Sequence, residues 1–265
     1  MTALALTRRA LGGIGVLACL VIAPFAALAQ KEDPVIAAAA DLKFAVTEIA
    51  AAFKAETGTE VMLNFGSTGN FARQIREGAP FQMFMAADEK YVADLARDGL
   101  TRDAGALYAQ GRIVMIVPHG SALTADGTFA NLKAALAAGT IRHFAIANPD
   151  HAPYGVRAME ALQHAGLWEA MLPRLVLGEN VSQAAQFATS GDTQGGIIAY
   201  SLALSKEVSA LGAYELIPAE WHAPLNQRMV LLPSAGQVAQ AFYAYMNTPA
   251  ARAIMKKYGF VLPGE

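Results

Sequence analysis

The chain has 265 residues, 54% of them hydrophobic and 16% charged, with a formal net charge of −2. So much apolar sequence is incompatible with a disordered chain, and a near-neutral balance supplies no basic patch for nucleic acid. A single cysteine excludes a disulfide framework and a cysteine-ligated zinc site.

Arg8 and Arg9 precede an apolar run over residues 10–28, which ends in Ala27, Leu28 and Ala29 before Gln30. A basic start, an apolar middle and a small-x-small end predict a secretory signal peptide over residues 1–29. An uncleaved membrane anchor is the rival, because the run approaches the roughly 20 residues that span a bilayer. The helix-breaking Pro24 and the small-residue ending favour cleavage. Cys19 resembles a lipoprotein cleavage site, but apolar sequence continues beyond it to Leu28. The arginine pair resembles a twin-arginine export signal only weakly, given its flanks Thr7 and Ala10. The mature chain would lack cysteine, would tolerate an oxidising compartment, and is expected in the periplasm.

Strand-like and helix-like segments then alternate. Residues 35–40 form a short apolar run, as in a strand covered on both faces. Residues 43–57 carry Ala45, Ile49, Ala52 and Phe53 at helical spacing, and Gly58 stops them. Residues 60–65 read as a strand, Gly66, Ser67, Thr68 and Gly69 as a turn, and 70–77 as a short helix. A strand over 82–86 and a helix over 88–97 follow. Strands at 112–117 and 142–147 flank a helix of alanine and leucine. Residues 155–165 and 182–189 read as helices and 174–177 and 196–199 as extended, and the chain closes with helices at 237–246 and 249–258. This β-α rhythm predicts parallel sheets with helices on both faces. The expected class is α/β, with two doubly wound lobes joined by two crossover segments near residues 109–113 and 225–230. The first lobe would be discontinuous (30–112 plus 226–265), and the second would span 113–225.

Motifs for catalysis are sparse. The histidines (His119, His143, His151, His164 and His222) form no metal-binding spacing and read as surface residues. There is no G-x-S-x-G elbow, and the turn at Gly66–Gly69 lacks the lysine of a phosphate-binding loop. Asp88 and Glu89 stand at a helix start, where capping accounts for them. A secreted hydrolase using Asp88, Glu89 or a histidine is the enzyme reading; a non-enzyme is favoured.

Four strand-to-helix junctions are more informative. They are Ala39-Ala40-Asp41, Gly66-Ser67-Thr68-Gly69, Pro153-Tyr154-Gly155 and Asn180-Val181-Ser182. In a parallel sheet such junctions lie at the carboxyl edge, where open α/β folds bind ligands. Each presents helix N-terminal amides without intrahelical partners. If they converge, they form a nest of donors for an oxyanion, with the hydroxyls of Ser67 and Thr68 adding adjustable donors. Taken singly, each is an ordinary helix cap, and periodicity does not show convergence.

The chain resembles the periplasmic molybdate-binding proteins of ABC transporters. The motifs are Ala37-Ala38-Ala39-Ala40-Asp41-Leu42, Phe65-Gly66-Ser67-Thr68-Gly69, Gln74-Ile75 with Gly78-Ala79-Pro80, and Ala86-Ala87-Asp88. Further on come Ala152-Pro153-Tyr154-Gly155, Gly178-Glu179-Asn180-Val181-Ser182-Gln183-Ala184 and Tyr258-Gly259-Phe260, in the same order. The resemblance implies a type II periplasmic binding fold that captures molybdate or tungstate between its lobes and delivers it to a membrane permease. It implies a monomer without cofactor. The anion would be held by Asp41, Ser67, Tyr154 and Val181, with Thr68 as a further contact. These are contacts to oxygens of the oxyanion; no bare metal ion is expected. Ser67 would donate through its hydroxyl and amide, Tyr154 and Val181 through their backbone N–H groups. A further family position, a tyrosine in some members, falls on Ala199, beside Tyr200.

Asp41 is a departure from the resembled family, several members of which place serine or asparagine there. An ionised aspartate only accepts hydrogen bonds, and close to a dianion it repels it. Three readings stand. Asp41 points away and caps the helix at Lys43; or it is protonated and donates to the oxyanion; or the pocket takes another small anion, an organic solute or a cation. Lys43 and Arg73 are near enough in sequence to offset the charge, or are solvated helix residues.

Overall fold

The computed structural model describes residues 1–2 and 33–264. The signal peptide expected over residues 1–29 lies outside the described residues, apart from its first two. No described helix is long and apolar enough to cross a membrane.

The strands build two five-stranded sheets in turn. β1 (Val35–Ala39), β2 (Met62–Gly66), β3 (Met83–Ala86) and β4 (Ala106–Gly111) enter the first. The chain passes Arg112 and enters the second through β5 (Ile113–Pro118). That sheet continues with β6 (Phe144–Ala147), β7 (Leu175–Gly178), β8 (Gly196–Ala199) and β9 (Gly212–Leu216). β10 (Leu225–Leu231) then returns to the first sheet. The strand orders are β2-β1-β3-β10-β4 and β7-β6-β8-β5-β9.

Neither sheet is purely parallel, which corrects the expectation from the β-α rhythm. β1 runs parallel to β2 and β3, and β6 parallel to β7 and β8. β10 is antiparallel to both β3 and β4, and β5 is antiparallel to both β8 and β9. These are the strands that begin where the chain arrives from the other sheet. They are not reached through a crossover helix, so the handed βαβ connection does not constrain their direction.

Local sequence explains the main helices. In α1 (Lys43–Thr57), Ala45, Val46, Ile49 and Phe53 form the buried stripe. Gly58 ends it in the left-handed conformation, φ 70°, returning its N–H to Lys54 O at 2.9 Å, which a side chain would resist. α2 (Thr68–Arg76) begins two residues before the expected start at residue 70. α3 (Glu89–Arg97) is capped by Asp88, whose Oδ1 accepts from Lys90 N at 2.9 Å. α4 (Ala130–Ala137) is the expected alanine-leucine helix. α5 (Pro153–His164) has proline in its first turn, where a missing N–H costs nothing. α6 (Trp168–Met171) is a single turn, and α7 (Val181–Thr189) is capped by Asn180. The core is continuous between the sheets: buried Ile113 to Val117 of β5 belong to the same cluster as Ile36 and Phe53. Phe53 meets Phe242 and Tyr245 edge-on, ring centres 5.3 Å apart.

Candidate functional site

β1 runs into a tight 3-10 turn, Ala40–Leu42, whose residues are all buried. β2 runs through Ser67 into α2, β7 through Asn180 into α7, and the loop after β6 reaches Ala152 and α5. Within residues 33–265 these four places, two from each sheet, face one cavity of about 190 Å³. Its enclosed part is far smaller than ordinary small-molecule sites. Its wall includes Asp41, Ser67, Thr68, Tyr154 and Val181, together with Ala40, Ala87, Ala152 and Asn180. All five residues singled out from the sequence therefore meet at one place.

The first turns of α2, α5 and α7 aim positive helix ends at this space, and their leading amides have no acceptor inside the helix. Asn180 accepts from Ser182 N and Gln183 N at 3.0 and 3.1 Å, so the amide it leaves over is that of Val181. The Ser67 hydroxyl does not cap α2. It donates across the cleft to His151 O at 2.6 Å and lies 2.8 Å from His151 Nδ1. Thr68 Oγ1 accepts from Ala87 N at 3.1 Å, which keeps its hydrogen free to donate elsewhere. The close approach at this edge requires glycine: a Cβ on Gly69 would come 2.6 Å from His151 O, to which its own N–H donates at 2.9 Å.

Asp41 does not cap α1. The cap of that helix is Leu42, with no side-chain bond. The Asp41 side chain instead enters a buried network. Its Oδ2 accepts from Tyr154 Oη at 3.0 Å and from Gln227 Nε2 at 2.7 Å. Gln227 Nε2 also donates to Tyr154 Oη at 3.2 Å, and Gln227 Oε1 accepts from Tyr108 Oη at 2.8 Å. Asp41 Oδ1 is buried and finds no partner in another residue. Burial pushes the Asp41 carboxyl up to about 6, against the pull of hydrogen bonds from Gln227, Tyr154 and its own backbone. Tyr108 and Tyr154 are pushed well above the usual phenol range by burial and by the neighbouring Asp41 charge, so both remain neutral donors. Lys43 and Arg73 are exposed and do not line the cavity; Arg73 faces Glu77 at 3.4 Å. Their reading as solvated helix residues holds. Ala199 is buried outside the cavity wall, and the Tyr200 ring packs 6.0 Å from that of Tyr214.

Gln227, Tyr108 and His151 escaped the sequence reading. Gln227 is a fully buried amide between Asn226 and Arg228 in β10, on the same face as buried Leu225 and Met229, and that alternation is its one signal in the sequence. His151, which the sequence places on the surface, reaches Ser67, and its Nε2 lies 3.6 Å from Glu179. His222 is also largely buried, its Nδ1 donating to Ala223 O at 2.8 Å. The carboxylates of the hydrolase reading are engaged elsewhere. Asp88 pairs with Arg157 at 2.8 Å and Glu89 with Arg228 at 3.0 Å. Among the described residues no group of three or more histidine, cysteine, aspartate or glutamate side chains is set to hold a metal ion.

Comparison with known proteins gives one picture. A family model for bacterial extracellular solute-binding proteins matches residues 34–261. The molybdate-binding protein ModA of Rhodobacter capsulatus is 34% identical over 236 residues, covering 88% of this chain and 90% of the relative. ModA of Azotobacter vinelandii is 33% identical over 253 residues, covering 94% and 95%. Among solved structures, the Azotobacter vinelandii periplasmic molybdate-binding protein superposes with a TM-score of 0.77 at 31% identity, covering 87% of this chain and all of that one.

Proposed function

The chain belongs to the family of bacterial extracellular solute-binding proteins, and on that premise we propose that it captures molybdate or tungstate and delivers it to an ABC permease. The observation that carries the proposal is the meeting of Asp41, Ser67, Thr68, Tyr154 and Val181 on one small cavity whose walls come from both sheets. The named relatives bind molybdate.

In this reading the amides at the starts of α2, α5 and α7, together with the Ser67 and Thr68 hydroxyls, bind the anion's oxygens. Positive helix ends replace water without a formal positive charge in the wall. Size selects the ligand. A tetrahedral anion too small for a fixed cage leaves buried donors unpaired, each costing about 1–3 kcal/mol, so sulfate is disfavoured. The two sheets are taken as two lobes, residues 33–112 with 226–264 and residues 113–225, and the ligand bridges them. Bonds such as Ser182 Oγ to Ala40 O, 2.9 Å, and Ser201 Oγ to Asp41 O, 2.8 Å, hold the lobes together across it. Closure presents a distinct surface to the permease. The protein performs no chemistry, needs no cofactor, works as a monomer and acts in the periplasm after loss of its leader.

Isothermal titration of the mature protein with molybdate, tungstate, sulfate and phosphate tests this. Binding of the first two at micromolar protein, with sulfate and phosphate far weaker, is the expected result. Absence of heat with both molybdate and tungstate at neutral pH defeats the assignment.

A further inference from the structure

A cavity built for an anion holds a carboxyl group in its wall. Asp41 is 1% exposed, and its Oδ2 is already occupied by Tyr154 and Gln227. Oδ1 is the polar atom that Asp41 has left to offer the cavity it lines, and it has no partner in another residue. A buried acceptor left unpaired is costly, and so is a carboxylate facing an anion oxygen, because both atoms are then acceptors. A single hydrogen between them removes both penalties.

We propose that Asp41 is a specificity-determining residue that binds the oxyanion through a shared proton, Oδ1–H···O, so that each ligand captured brings one proton into the cavity. The inference rests on the oxyanion reading above. The balance is simple: one proton leaves the solvent and sits between Asp41 Oδ1 and one ligand oxygen, and no other bond changes. It is the same contact whether the hydrogen arrives on the aspartic acid or on the anion. Asp41 thereby requires one hydrogen at this face of the bound anion, while the size of the cage still disfavours the smaller sulfate and phosphate.

The surroundings support a shared proton. Tyr154 of α5 and Tyr108 of β4 are the titratable groups of this network, both remain neutral, and Gln227 of β10 carries no charge. No lysine or arginine hydrogen-bonds to the carboxyl among the described residues. Burial has already raised Asp41 to about 6, and a bound anion raises it further by like-charge repulsion.

The test is calorimetry of the mature protein with molybdate from pH 6.5 to 8.5, in pairs of buffers of different ionisation enthalpy. The expected result is uptake of one proton per molybdate at the alkaline end and an apparent Kd rising about tenfold per pH unit there. Asp41→Asn carries a permanent donor in place of the proton. Its Kd is expected to be independent of pH and, at pH 8, up to about a hundredfold tighter than that of the natural chain. Molybdate binding by the natural chain with no proton uptake and a flat profile overturns the inference and leaves the solute reading standing. No binding of molybdate or tungstate by either protein at any of these pH values overturns both. The buffer comparison uses the natural chain alone, so it decides even if the Asn variant fails to fold.

Discussion

At the deep end of the cavity, Asp41, Tyr154, Gln227 and Tyr108 bond to one another out of reach of water. At the outer edge, Ser67 meets His151, and Asn70 donates to the more exposed Glu179. Both sets join the first sheet's residues to the second's with ordinary hydrogen bonds, but solvent separates their consequences. In the deep set an unmatched polar atom is costly, because it loses water without replacement. At the edge water replaces the partner that Asn70 or Glu179 loses, so that bond is worth little, whereas Ser67 is itself buried. The deep set therefore fixes the geometry of the cavity floor, and the exposed edge bond contributes least.

The largest expected effect follows from the raised carboxyl of Asp41. A carboxyl whose value is 3.8 unfolded and about 6 folded binds its proton more tightly in the native state. Its stabilising contribution is complete below pH 3.8 and is lost as pH rises through 6. Two units correspond to about 3 kcal/mol. Asp41→Asn should thus be more stable than the natural chain by up to about 3 kcal/mol at pH 8, and by little near pH 4. Denaturant melts of both proteins at the two pH values measure this; an equal difference at both would remove Asp41 as the titrating group.

Gly111→Ala comes next. Its new Cβ would stand 2.2 Å from Tyr154 Oη and 2.9 Å from Gln227 Nε2, displacing the bonds to Asp41. Overpacking of this kind costs about 1–3 kcal/mol, and molybdate affinity should fall with it. A variant that melts and binds like the parent would show that the deep set tolerates rearrangement and would break the contrast. Ser67→Ala is intermediate, since it removes a hydroxyl from the cavity wall and a bond to His151; an approximately tenfold loss of molybdate affinity is expected. Unchanged affinity by calorimetry would take Ser67 out of the site. Asn70→Ala should be the mildest. Loss of its bond to Glu179 at the wet edge changes stability by less than about 1 kcal/mol, and a larger fall in melting temperature would place the edge among the structural contacts.

Much of the architecture was readable in the chain. The apolar run before Ala40 and the stripe of Ala45, Ile49 and Phe53 mark β1 and α1 because a strand buried on both faces and a helix buried on one have different periods. The start of α2 was read two residues late, because the small polar residues of a turn also serve in the first turn of a helix. The directions of β5 and β10 were not readable, since a strand's side-chain pattern is the same whichever way it runs. Of the cavity wall, Asp41, Ser67, Thr68, Tyr154 and Val181 could be named from motifs. Gln227 could not, because its partners are remote: Asp41 lies 186 residues away and Tyr108 lies 119.

Local order along the chain decided which segments are strands and helices and which junctions carry small, polar residues, because those properties depend on neighbours a few positions apart. Folding decided that junctions 113 residues apart, Asp41 and Tyr154, would touch, and that a carboxyl would lie buried among neutral donors. Burial and long-range proximity are properties of the packed sheets. They turned an ordinary aspartate into a buried carboxyl that holds its proton up to about pH 6.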